Sequence, residues 1–197
     1  MSRNQTTPAP ELPRRRQRLV VALALGAALA LAGSGCGGGG EESPSEAEKA
    51  DDIAILNTAL GYELAAVDAY TRALPLLRGE AFDTARRFRA QEQEHVDAIT
   101  KALRGLGGRA DPEEVEFDPA SPKTRADALT LAYDQVSAAI AEDMSAVAGL
   151  TATWPRALLT SIAANEAQQL AVLRQALGAD PVPEAFENGE IPPPGTG

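Results

Sequence analysis

Residues 53–74, IAILNTALGYELAAVDAYTRAL, carry the pattern that decides the fold. Steps of three and four residues alternate between the side chains of one stripe, which is Ile53, Leu56, Leu60, Glu63, Val67, Tyr70 and Leu74. This spacing puts side chains on one face of an α-helix, and every member of the stripe except Glu63 is apolar or aromatic. The pattern therefore predicts helix A over residues 47–77, ended by Pro75 and Gly79, with one face buried in a core.

The same spacing recurs in three further segments. It predicts helix B over residues 80–106, helix C over 123–150, and helix D from Thr153, its N-cap, to about residue 177. The A–B and C–D connections are short, so each pair forms an antiparallel hairpin. The polar B–C connection, residues 109–123, is long enough to cross the whole bundle. The sequence thus predicts an all-α four-helix bundle with one long B–C crossover.

Composition excludes several classes of protein. Of the 197 residues, 18 are basic and 28 acidic, and five of the basic ones lie within residues 1–35, so the rest of the chain is strongly acidic. An acidic surface repels phosphate backbones, and we therefore expect no binding to nucleic acid. The single Cys and the single His exclude an internal disulfide, a cysteine zinc cage and a three-histidine zinc site.

The N-terminal residues have the pattern of an export signal. A basic run at Arg14–Arg18 precedes the apolar residues 19–32, which are too few for a membrane span but typical of a signal peptide. Small residues then precede Cys36 and glycines follow it, which resembles the lipobox of bacterial lipoproteins. The resemblance implies a lipid on Cys36 and anchoring to the outer face of the cell membrane. Cleavage after Ala32 would instead release a secreted protein.

These features divide the chain into four parts. Residues 1–35 are the predicted signal peptide, 36–46 a flexible tether, 47–177 the helical bundle, and 178–197 a disordered, proline-rich tail. A tethered N-terminus and such a tail favour a monomer or a small homo-oligomer.

Carboxylates interrupt the apolar stripes of helices A, B and D, at Glu63, Glu92 and Glu166 respectively. His95 follows Glu92 by three residues, on the same face of helix B. Burying carboxylates in one bundle is unfavourable unless a positive charge, a hydrogen-bond network or a metal compensates them. Carboxylate and imidazole ligands together suit iron or manganese, so the stripes predict a site for one or two such ions.

The quoted stretch as far as Glu63, together with Tyr70 and residues 92–95 (EQEH), resembles the first half of a ferritin-like domain of exported bacterial proteins. Residues 166–169 (EAQQ) resemble the second half. Di-metal members of that family take one carboxylate from each of helices A and C and a Glu-x-x-His pair from each of helices B and D. The resemblance implies iron or manganese chemistry with oxygen or peroxide, and the ligands Glu63, Glu92, His95 and Glu166, with Gln169 standing where the second His is expected.

Helix C offers two candidates for its carboxylate. Asp134 precedes Glu166 by 32 residues, comparable to the 29 between Glu63 and Glu92, but it points away from the apolar stripe. Asp143 lies on the stripe but nearer the C–D turn. We favour Asp134, because a helix can rotate about its own axis to turn a side chain inwards. A side chain at the wrong level along the bundle axis cannot reach the site so easily. The competing hypothesis for the whole protein is a metal-free, non-catalytic module of the cell envelope that keeps the same fold.

Overall fold

The computed structural model describes residues 44–112, 115 and 121–189. They form four helices, which are α1 (Glu46–Ala73), α2 (Glu80–Gly105), α3 (Arg125–Gly149) and α4 (Thr153–Ala176). A 3₁₀ turn, Leu74–Leu76, follows α1 because Pro75 cannot continue the α-helical hydrogen bonds. The described residues contain no strand, and the predicted all-α bundle is confirmed. No helix in this part of the chain is both long enough and apolar enough to cross a membrane.

Ser45 and Thr124 begin α1 and α3. Each side chain accepts a hydrogen bond from the backbone three residues on, where an acidic side chain reciprocates. Such capping boxes satisfy N–H groups that a helix start leaves without partners. The start of α4 is different. Thr153 is not its N-cap, as the sequence suggested, because the cap position is Ala152, whose side chain offers no acceptor.

Asp52 of α1 supplies the missing cap of α4 from about 100 positions away in the chain. Its fully buried carboxylate accepts from the Thr151 N–H at 2.8 Å, the Ala152 N–H at 2.9 Å and the Thr151 hydroxyl at 3.0 Å. The contact ties the start of α4 to α1 and closes the end of the bundle at which α3 turns into α4.

Each helix contributes to two apolar clusters, one at each end of the bundle. The first apolar cluster lies towards the α1–α2 turn and includes Tyr70, Phe88, Val136, Ile140 and Leu170. The second apolar cluster lies towards the α3–α4 turn and includes Leu60, Val96, Ala146, Leu150 and Ile162. Helices α1 and α2, α1 and α3, and α3 and α4 pack closely, whereas α2 and α4 touch much less. A layer of buried polar side chains separates the two clusters.

The chain after α4 makes two contacts with the helices of the bundle. Glu187 pairs with the buried Arg174 of α4, and the carbonyl of Gly189 accepts a hydrogen bond from the Ser137 hydroxyl of α3. Gly189 has a positive φ of 77°, and a Cβ there would collide with the Ser137 carbonyl. Residues of the segment 178–189 thus contact α3 and α4, and disorder of the tail stays a prediction.

Several predictions concern residues outside the described ranges. The signal peptide over 1–35, the lipid site at Cys36, most of the tether, part of the B–C crossover and residues 190–197 all lie there. They remain predictions.

Replacing Asp52 with Ala removes the remote cap and leaves two backbone N–H groups without acceptors. We expect the free energy of unfolding to fall by about 2–3 kcal/mol in urea titrations followed by circular dichroism. Asp51→Ala, at the exposed neighbouring position, is the control and should change stability by less than about 0.5 kcal/mol. An equal loss in both variants would contradict the capping role.

Candidate metal centre

The polar layer between the apolar clusters contains the three carboxylates that the sequence predicted, each on a different helix. Glu63 lies between Leu60 and Tyr70 on α1, and Glu92 lies between Phe88 and Val96 on α2. Glu166 lies on α4, between Ile162 of the second apolar cluster and Leu170 of the first. All three carboxylates are buried, as the stripes predicted.

His95 faces two of these carboxylates. Its Nδ1 lies 3.2 Å from Glu63 Oε2 and 3.2 Å from Glu92 Oε2. One ligand atom from each of Glu63, Glu92, His95 and Glu166 lies within 4.8 Å of those of the others. The predicted cluster therefore converges at one point inside the bundle, close enough for a single ion to contact all four groups.

Several carboxylate oxygens in the layer have no hydrogen-bond donor. They are Glu63 Oε1 and both oxygens of Glu166, and all are buried. Burying an acceptor without a donor is unfavourable by about 1–3 kcal/mol, and more if the group is charged. Protons or a cation must compensate these atoms. A donor set of carboxylates and one imidazole fits iron or manganese, whereas a soft metal would need thiolates.

The ionisation of the layer reflects its burial. Burial, together with the charge of Glu92, raises the pKa of Glu63 to about 8, although His95 opposes the shift. Burial raises the pKa of Glu166 well above its usual range, and the charges of Glu63 and Asp143 add to the effect. Burial acts on His95 in the opposite direction, but hydrogen bonds to Glu63 and Glu92 raise its pKa to about 10. The raised pKa favours an imidazolium at His95, in contact with both Glu63 and Glu92.

Gln169 is in the layer, but its amide is already engaged. Its nitrogen donates to Glu92 Oε1 at 2.5 Å and to Asn165 Oδ1 at 3.2 Å, while its oxygen accepts from the Tyr70 hydroxyl at 2.7 Å. It therefore positions Glu92 by hydrogen bonds, and its own oxygen is held by the Tyr70 hydroxyl. The sequence placed Gln169 correctly and did not predict these partners. The four-residue spacing from Asn165 was the available signal.

The structure does not bring Asp134, the residue favoured on α3, into the polar layer. Asp134 is partly buried and lies among residues of the first apolar cluster, between Tyr133 and Val136. Asp143 is 1% exposed, and its charge acts on Glu166. The choice between Asp134 and Asp143 compared their positions along the bundle axis and counted only the backbone. Side chains lean towards the N-terminus of their own helix, so Asp143 and Glu166, on antiparallel helices, lean towards each other.

Gln135 is a buried polar residue that the sequence analysis missed. Its amide nitrogen donates to the Tyr62 carbonyl at 3.2 Å, and its Oε1 has no donor. It lies on the face of α3 that packs against α1, beside residues of the first apolar cluster. A polar residue next to the Tyr133–Val136 stripe was the only sign of it in the sequence.

The chain matches the model of the ferritin-like domain over residues 51–179. No curated protein matches its sequence. Among solved structures, a bacterioferritin from Desulfovibrio desulfuricans, whose diiron site was studied in different catalytic states, is 19% identical with a TM-score of 0.62, over 68% of this chain and 81% of that one. A conserved hypothetical protein from Mycobacterium tuberculosis is 21% identical with a TM-score of 0.61, over 71% and 99%.

Ferritin-like, diiron-carboxylate proteins from Bacillus anthracis are 18% identical, with a TM-score of 0.56, over 68% of this chain and 99% of theirs. At these identities the solved structures establish the fold alone. The family match covers α1 from residue 51, the other three helices entirely, and every residue of the polar layer described above.

The raised pKa values predict that the metal-free protein loses stability as pH rises. The folded state keeps protons on Glu63, up to a pKa of about 8, and on His95, up to about 10. The unfolded chain releases them near 4.5 and 6.5. Between its unfolded-state and folded-state pKa, each group makes the free energy of unfolding fall by about 1.4 kcal/mol for every unit that the pH rises. Urea midpoints measured from pH 5 to 10 with chelator present should therefore fall.

Glu63→Gln is the matched variant for this experiment, because it removes one titrating group and keeps the side-chain volume. Its stability should depend less steeply on pH between 5 and 8 than that of the wild type. A wild-type midpoint that rises with pH over this range would contradict the assignment of buried, proton-holding carboxyl groups.

Proposed function

This chain belongs to the ferritin-like domain family, and on that basis we propose that it binds iron or manganese through the cluster of Glu63, Glu92, His95 and Glu166. The observation that carries the proposal is the convergence of these four groups, from three helices, within 4.8 Å in the buried polar layer. A purely structural bundle has no need to collect carboxylates at one internal point, since each is unfavourable to bury.

Each residue has a role in this proposal. Glu63, Glu92 and His95 would hold the ion, because their facing atoms, the two Oε2 oxygens and His95 Nδ1, already lie together. Glu166 has both oxygens free to complete the set. Gln169 and Tyr70 position a ligand rather than serve as one. The Gln169 amide donates to Glu92 Oε1, and the Tyr70 hydroxyl donates to the Gln169 oxygen. Bound iron or manganese would supply one-electron chemistry with oxygen or peroxide.

Binding exchanges a proton for the metal. In the metal-free protein His95 Nδ1 lies 3.2 Å from an oxygen of each of the two glutamates, and an ion at the same place would require that nitrogen to be unprotonated. Metal affinity should therefore increase with pH, opposite in direction to the stability of the metal-free protein. The diiron sites named for the similar bacterioferritin and the Bacillus anthracis proteins support iron as the ion in this chain, while the ligand types also suit manganese.

We further propose that the protein is exported and anchored to the cell membrane by a lipid on Cys36. The support is in the sequence: a basic run, an apolar stretch of signal-peptide length and small residues before the single Cys. From Cys36 to the start of α1 at Glu46 the tether would span at most ~35 Å if extended, which keeps the bundle close to the membrane surface. A monomer or small homo-oligomer suits such an attachment.

Glu92→Gln should abolish metal binding. The variant keeps the size of the side chain but removes the carboxylate that faces both His95 and Gln169. The full-length chain, purified in detergent, is loaded anaerobically with ferrous iron, its metal content is measured, and its absorbance is followed after oxygen is admitted. We expect bound iron and a new absorption band in the wild type, and neither in Glu92→Gln.

The control for this experiment is Glu94→Gln, at an exposed position on the same helix, which should behave as the wild type. Absence of bound iron and manganese in the wild type would refute the proposal. The competing metal-free module of the cell envelope would then be the better account.

Cys36→Ser tests the anchor. In a bacterial host supplied with an alkyne-labelled fatty acid, we expect the wild type to carry the label and to sediment with membranes. Cys36→Ser should carry no label, whereas the control Ser34→Ala keeps a small residue before Cys36 and should retain it. An unlabelled wild type whose mature N-terminus follows Ala32 would instead establish secretion.

A further inference from the structure

A cavity of about 440 Å³ lies at the end of the bundle where α1 turns into α2. Residues of α2 form one wall of this α2–α4 cavity and residues of α4 the other, and the start of α3 contributes the rest. The two walls leave this space because α2 and α4 touch much less than the other neighbouring helices do. Cavities that bind small organic molecules have volumes of about 300–1,000 Å³, so the α2–α4 cavity is large enough for such a ligand.

The inner wall of the cavity is apolar. Ala85, Phe88, Leu129 and Leu173 line it, and all four are buried members of the first apolar cluster. Val172 also lines it and is 39% exposed, so apolar surface in the cavity is open to water. A ligand that covered this surface with apolar atoms would gain the favourable free energy of removing it from water. The wall therefore favours a ligand with an apolar part.

Two exposed arginines also line the cavity. Arg78 lies in the link before α2, and Arg125 is the first residue of α3. The Arg78 Nη1 donates to the carbonyls of Pro75 at 2.7 Å and Leu77 at 2.6 Å, which holds its guanidinium in place without neutralising the charge. Within the residues that the structure describes, neither guanidinium is paired with a carboxylate.

The charge of the cavity is opposite in sign to that of the whole chain. Its charged side chains are Arg78, Arg125 and Glu80, two positive and one negative, which gives a formal net charge of +1. The chain as a whole carries a formal net charge of -10. One negative charge on a ligand would balance the cavity. Guanidinium groups hold carboxylates through paired, charge-assisted hydrogen bonds, so a carboxylate is the group that fits.

We propose that the α2–α4 cavity binds a free fatty acid, a monocarboxylate with an unbranched apolar chain. The chain lies against the apolar inner wall, and the carboxylate lies at Arg78 and Arg125. A neutral apolar molecule would leave the two arginines unused, and a small inorganic anion would leave the apolar wall open to water. Only a ligand with both parts matches both features of the cavity.

The cavity is separate from the candidate metal centre. None of the four residues of the metal cluster lines it. Phe88 of the inner wall packs edge-on against Tyr70, with 6.1 Å between the ring centroids. Binding of a fatty acid therefore requires no metal, and this inference stands or falls independently of the proposed function.

Calorimetric titration with octanoate tests the inference. The full-length, metal-free chain is held in phosphatidylcholine nanodiscs, which offer no headgroup with a net negative charge. Empty nanodiscs give the heat of octanoate entering the bilayer, which is subtracted. We expect one octanoate to bind per chain. Acetate, which lacks the chain, and octanol, which lacks the charge, should each bind at least about tenfold more weakly.

Arg125→Gln tests the place of the carboxylate. The variant removes one guanidinium at an exposed position, so we expect octanoate to bind about fivefold to tenfold more weakly. Arg104→Gln is the matched control, because Arg104 is exposed in the last turn of α2, at the opposite end of the bundle from the cavity. It should bind octanoate as the wild type does.

Ala81→Leu tests the place of the apolar chain. Ala81 is partly buried and lines the cavity, so the larger side chain should fill the space and abolish octanoate binding. Ala90→Leu, at an exposed position of the same helix, is the control and should bind octanoate normally. If Ala81→Leu does not show a native circular dichroism spectrum, Ala176→Leu fills the cavity from the α4 wall instead.

Four outcomes would overturn the inference. The first is a titration of the wild type with no heat beyond that of empty nanodiscs. The second is equal binding to the wild type, Arg125→Gln and Ala81→Leu, which would put octanoate elsewhere. The third is octanol binding as tightly as octanoate, and the fourth is acetate doing so. None of these results bears on metal binding, which is measured separately.

Discussion

Four carboxyl groups are buried in the layer between two apolar clusters, and neutralising them is the constraint on which the rest of this structure depends. The apolar clusters at either end supply the favourable burial that holds the helices together. The layer between them opposes folding unless protons, hydrogen bonds or cations compensate it. The positions of His95, Gln169 and Tyr70 are explained by this requirement, because each approaches a carboxylate directly or through one intermediary.

The two halves of the layer are compensated in different ways. Around Glu92 the protein provides its own partners, with His95 on one oxygen and the Gln169 amide on the other. Around Glu166 and Asp143 it provides none for the oxygens that face inwards. A bundle that had become purely structural would be expected to replace these acids with apolar residues, since well-packed apolar groups are at least as stable as buried charges. Their presence argues for a bound cation.

The sequence predicted the four helices, because three- and four-residue steps of apolar side chains leave little choice of fold. It also predicted Glu63, Glu92, His95 and Glu166, since a carboxylate on a buried stripe is visible as an exception. The sequence analysis preferred Asp134 to Asp143 because it compared backbone positions along the bundle. It did not consider that side chains on antiparallel helices lean in opposite directions. The Asp52 cap and the contacts of Glu187 join residues far apart in the chain or outside the helices, where periodicity carries no information.

The most direct measurement is anomalous diffraction from crystals of the protein grown with Mn²⁺ and recorded at the manganese absorption edge. The account predicts a strong peak inside the bundle, in contact with His95 Nδ1 and with carboxylate oxygens of Glu63, Glu92 and Glu166. It also predicts that the contacts of His95 Nδ1 to Glu63 and Glu92 are replaced by a contact to the ion. Peaks confined to surface carboxylates, with the His95 contacts to Glu63 and Glu92 unchanged, would contradict it.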